Sequence, residues 1–286
     1  MTNPRGARAA RGSPSFGRVK LAGGGRISYI CNVRLHCVMF EPTIPFGEPE
    51  LMRVSTFRRY LEELDRDPAI GASSRLASLS PSLMADLMRF EHHGNGSEAL
   101  EVLAACVRHA RNVTVHVALA EKVVPLTVFA QERLVHCPVG MDVLLEGRLA
   151  ELRVMHVEPA TLRPPGDGES ALVGAAAAHF PLGRLLWELA LRGSRDKLLP
   201  EIAGTAAYRL SPSLELEALP LAGSMLAAVE RLARQPTTLR ELSDWPGFDR
   251  ERASRLLNAL YLQSGLIVSR AHPRALGDSW FSALGR

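Results

Sequence analysis

The stretch Thr237–Arg270, TTLRELSDWPGFDRERASRLLNALYLQSGLIVSR, decides how the C-terminal part of this chain is read. Thr237 or Thr238 offers a side-chain oxygen that can cap a short helix over residues 238–243. The run "DWPGF" then forces a corner, because Pro246 has no N–H for a continuing helix and Gly247 tolerates backbone angles that other residues avoid. Asp249 is placed to cap a longer helix. On that helix Ala253, Leu256, Leu257, Leu260 and Tyr261 recur at threes and fours and mark a core side. Arg250, Arg252, Arg255 and Asn258 are expected on its solvent side. Gly265 ends the helix and "LIVSR" follows as a strand. Just upstream, "LAGSMLAAVERLARQ" gathers Leu221, Met225, Ala228, Val229 and Leu232 on one helical face.

Helix, short helix, corner, longer helix, glycine, strand: in this order, and in its "L…L…GLI" pattern, the segment 221–270 resembles the winged-helix modules of bacterial regulators of the PatA-like, response-regulator type. The resemblance implies that the longest helix either enters the major groove of DNA or serves a protein contact. Arg250, Arg252, Arg255, Asn258 and Arg270 are the candidate DNA or partner contacts, since Arg and Asn can hydrogen-bond guanine and adenine bidentately. Charge argues against DNA. From Pro220 onward nine Lys and Arg stand against six Asp and Glu, and Asp249 and Glu251 share the start of the longer helix. Phosphate contacts supply most DNA affinity, so readers concentrate more positive charge than this. The run "AHPRALGDSW" turns away through Pro273 and Gly277 and offers no second wing strand.

The basic character of the whole chain lies elsewhere. The 286 residues carry a formal net charge of +4. Seven of the 34 basic residues fall at or before Arg34, where no acid occurs, which leaves 27 against 30 acids in the remainder. Residues 1–26, rich in Gly, Arg, Ser and Pro, have too little apolar surface to offset their ordering entropy and are expected to be a disordered basic tail. No apolar run of membrane-spanning length appears. Four cysteines, Cys31, Cys37, Cys106 and Cys137, match neither paired metal spacings nor a disulfide framework, so reduced thiols in a cytoplasmic protein are expected.

Between tail and module the hydrophobic period changes several times. "RISYICNVRLHCVMF" partly alternates in the manner of a strand. Leu51, Val54, Phe57, Leu61 and Leu64 then mark a helix. Ser80 and Pro81 open another, and Ser97 a third with Leu100, Leu103, Ala104 and Val107 as its stripe. "VTVHVAL", "VVPLTVFAQERLVHC" and "LAELRVMHVEP" alternate as strands that can pair as a meander. These features predict an α+β fold: a helix-plus-meander domain over 27–160, a Pro/Gly linker at 161–170, and a mostly helical region over 171–286 that ends in the winged-helix-like module.

No catalytic, cofactor-binding or metal-ligating set stands out, and no cofactor is expected. Cys106, His116, His136 and Cys137 could in principle converge as a nucleophile pair, but a cysteine on an apolar helical stripe is ordinarily packing. Glu91, His92 and His93 sit at a helix end, where cations are favoured without any metal. Trp280, Phe281 and Leu284 form a candidate docking peptide. The expected role is non-enzymatic: a bacterial-type regulatory or adaptor protein that binds a protein partner or itself, with DNA-binding transcription regulation as the alternative.

Overall fold

In a computed structural model the chain is described over residues 51–66, 79–91, 99–166, 168, 173–214 and 219–275. The basic tail, the strand expected at 26–40, the cap expected at Ser97, His92 and His93, and the candidate peptide Trp280, Phe281 and Leu284 lie outside these residues. The fold is α+β with antiparallel sheets.

Three helices lead into the first sheet: α1 (Val54–Arg66), α2 (Pro81–Glu91) and α3 (Ala99–Arg108). Ser80 precedes α2 as expected, its hydroxyl accepting from Leu83 N at 3.4 Å. The strands are β1 (Val113–Leu119), β2 (Lys122–Phe129), β3 (Leu134–His136), β4 (Arg153–Pro159) and β5 (His179–Pro181), hydrogen-bonded in the order β4-β1-β2-β3-β5. A short helix α4 (Met141–Glu146) intervenes before β4. Alternation sorts the side chains by face, because successive residues of a strand point opposite ways. Val113, Val115 and Val117 of β1 pair with Val128, Leu126 and Val124 of β2, and all six are fully buried. The opposite face carries Thr114, His116, Thr127 and His136, with α1 laying Phe57 over the His116 ring at 4.9 Å.

Helix α5 (Leu182–Arg192) follows β5 and buries Leu182, Leu185, Leu186, Trp187 and Leu189. Then come β6 (Ala207–Leu210), α6 (Gly223–Arg234), β7 (Thr237–Thr238), α7 (Leu239–Ser243), α8 (Arg250–Leu262) and β8 (Leu266–Ser269). The last three strands form a sheet in the order β7-β6-β8. A wing strand was not found downstream of β8 in the sequence. The middle place in this sheet is filled instead by β6, which enters ahead of α6 and pairs antiparallel with both neighbours.

The Pro/Gly stretch at 161–170 falls in sequence between β4 and β5, two strands of one sheet, and the described residues pack as one compact unit. A single apolar cluster extends from Leu79 and Leu103 through Val115 and Leu186 to Leu256 and Leu262. No helix among the described residues is long and apolar enough to cross a membrane.

Candidate functional site

The segment between α5 and β6 has little regular structure, so its backbone groups need partners from elsewhere. Helix α8 supplies them. Asn258, fully buried, accepts from Leu199 N at 2.8 Å and donates Nδ2–H to Lys197 O at 2.9 Å. Arg255 donates Nη1–H to Leu191 O at 3.1 Å and to Gly193 O at 2.8 Å, and Nε–H to Glu251 at 2.9 Å. Leu191 lies in the last turn of α5, where carbonyls lack helical partners and a cation is favoured. The expectation that Asn258 and Arg255 face solvent therefore fails. Two bare carbonyls at the end of α5 and an irregular segment beyond it lie across from them, and polar side chains turn toward unmet backbone groups.

Arg270 behaves in the same way, donating to Ala203 O at 2.8 Å and Glu201 O at 3.1 Å. Arg252 donates to Gly247 O at 2.9 Å and sits 5.4 Å over the Phe248 ring, which braces the corner. Arg231 does the same for Trp245, 4.0 Å from the ring centre. Gly247 holds φ +80 at this corner, a conformation that suits glycine. Asp249 caps α8 by accepting from Arg252 N at 2.7 Å, as expected; Thr238, one of the two expected cap candidates, caps α7 and forms with Glu241 a capping box that the sequence reading did not name. Of the five candidate contact residues, Arg250 alone is exposed with no side-chain hydrogen bond or ion pair to the described residues, although its carbonyl accepts from Ser254 Oγ at 2.8 Å.

Arg250 borders a cleft of about 800 Å³ between the 195–205 segment and the starts of α7 and α8. Leu198, Pro200 and Leu239 give it an apolar wall, and Lys197 joins Arg250 on its border, with Asp196 and Glu251 as the opposing charges. Arg195, also at the cleft, is tied to Glu101 of α3 and donates to Leu198 O at 2.6 Å. Behind the segment, Arg108 pairs with both Asp86 and Glu201, and His109 Nε2 lies 2.8 Å from Asp86. Burial would raise the Asp86 pKa, but the His109 hydrogen bond and the Arg108 charge outweigh it and hold the carboxyl below its ordinary value. The sequence reading missed this network. The local signal that sequence offers for it is the pair of helix breakers, Gly193 and Pro200, which mark an irregular segment without saying what holds it.

Cys106, His116, His136 and Cys137 do not converge. Cys106 is buried on α3, with its thiol pushed up to about 12 by desolvation. Cys137 is buried and donates to Gly140 O, while His116 is bonded to Glu158.

No family model matches the chain, and no curated protein or solved structure shows significant similarity to it.

Proposed function

We propose that this chain is a regulatory or adaptor protein that works by protein–protein contact, with the cleft at the start of α8 as part of its docking surface. The observation that carries the reading is the turning inward of Asn258 and Arg255. A helix whose base-reading candidates are bonded to the protein's own backbone has little left to offer a DNA groove, where specificity needs side chains free to reach base edges. The cleft fits a peptide segment better, with an apolar wall and charges of both signs at its border. DNA binding is the second reading, favoured by the exposure of Arg250 and Arg252 on the first turn of α8.

One experiment separates the two. The full chain and its Lys197→Glu/Arg250→Glu variant are used to capture soluble proteins and, in parallel, titrated with random duplex DNA at two salt concentrations. The expected result is a stoichiometric protein partner retained by the native chain and lost by the variant. Salt-sensitive DNA binding that the variant loses, with no such partner, overturns the proposal in favour of DNA. Salt-sensitive binding that the variant keeps belongs to another part of the chain.

A further inference from the structure

The outer face of the five-stranded sheet carries groups that the module does not use. His116 stands opposite His156 across β1 and β4, and His136 stands opposite His179 across β3 and β5. The two pairs differ in how their ring nitrogens are engaged. His116 Nε2 lies 3.0 Å from a carboxylate oxygen of Glu158, and its ring is stacked on Phe57. His179 instead has Nδ1 3.1 Å from Ala175 O. A carbonyl only accepts, so Nδ1 carries the proton and the lone pair of the neutral ring falls on Nε2. That Nε2 is buried and has no hydrogen-bond partner among the described residues.

His136 stands edge-on to this ring, with centroids 5.0 Å apart and planes at 64°. Its Nε2 faces Gly174, where a Cβ would come within 3.1 Å of it. Gly174 holds φ +74, so glycine suits the backbone there and keeps a side chain from crowding the nitrogen. Consecutive residues, Gly174 and Ala175, thus lie against both imidazoles, and Phe129 walls the far side, 5.8 Å from His179. Burial first, and His179 second, lower the His136 pKa from its ordinary 6.5.

A histidine that donates one ring N–H to a backbone carbonyl, and so presents the other nitrogen's lone pair in a fixed direction, is in the arrangement metal-bound histidines adopt. Imidazole suits borderline divalent ions such as Zn²⁺, Ni²⁺ and Cu²⁺. We propose that His136 and His179 form a two-imidazole site for a divalent transition-metal ion. No group of three or more His, Cys, Asp or Glu residues suited to a metal occurs among the described residues. The described residues therefore supply two ligands and no third, unlike the closed four-ligand geometry of a structural zinc site.

The test is calorimetric titration of the full chain with Zn²⁺ in chelator-free buffer. Binding of one ion per chain is expected, weakened at least tenfold by His136→Gln or His179→Gln and unchanged by His116→Gln in the neighbouring pair. Gly174→Ala is expected to weaken it as well, because the new methyl group presses on His136 Nε2. Absence of Zn²⁺ binding, or binding that survives both His136→Gln and His179→Gln, overturns the proposal. If either glutamine variant fails to fold, the native chain loaded with one equivalent of Cu²⁺ decides by electron paramagnetic resonance. Two-nitrogen hyperfine structure supports the site, and oxygen-only coordination overturns it.

Discussion

Asn258 shows what a single side chain contributes here. Its amide is fully buried and satisfies a donor at Leu199 and an acceptor at Lys197. Asn258→Ala leaves both unmet, at about 1–3 kcal/mol for each buried group. A loss of about 2–6 kcal/mol is therefore expected, seen as a lower urea midpoint. Asp86 makes a prediction of the other kind. Its pKa in the folded chain lies below the ordinary 3.8. Its contribution is therefore present above that value and is lost as pH falls through the lowered folded-state value. Asp86→Asn should destabilise the chain at pH 6, and the difference from the native chain should shrink in unfolding curves measured below about pH 3.8.

At the scale of elements, the local signals that were legible are those set within about four residues. The Thr238 cap, the Asp249 cap and the Gly247 corner depend on near neighbours alone, and each was legible in the sequence, Thr238 as one of two candidates and without its Glu241 partner. Thr238→Ala is expected to cost about 1 kcal/mol by removing the cap of a five-residue helix, measured by thermal unfolding. Arg255 is different, since its fork reaches two carbonyls near the end of α5, more than sixty positions back in the chain. Arg255→Lys keeps the charge and loses the planar fork, so it should destabilise the chain nearly as much as Arg255→Ala in the same assay. The place of β6 between β7 and β8 was not readable in the sequence. Nothing in the residues Ala207–Leu210 states which edges they will pair with.

At the scale of the molecule, the two halves are held by more than the chain that joins them. Arg133, just ahead of β3, donates to Leu262 O at the end of α8, at 2.8 Å. Gln263 donates to Gly183 O at the start of α5, also at 2.8 Å. Arg195 and Glu101 link the irregular segment to α3. With a continuous core behind these ties, the described residues are expected to unfold in one transition. Val115→Ala in the sheet and Leu256→Ala in α8 should both lower that one transition, the second by about 2–5 kcal/mol. Calorimetry that resolves two transitions, each moved by only one substitution, would contradict this.

What the sequence determined by itself was what short-range physics sets. That includes the mixed α+β content, the alternating strands, the capped helices and the corner at Pro246–Gly247. The tertiary structure alone decided which polar residues face inward. Asn258 and Arg255 have the same chemistry whether they meet a base edge, a partner or the protein's own carbonyls, and the choice depends on what lies opposite them. It also decided that β6 completes the second sheet, and that His136 and His179 stand side by side though 43 positions apart. Side-chain periodicity records which face of an element is buried, and it carries no record of which distant backbone group will be left without a partner until the chain has packed.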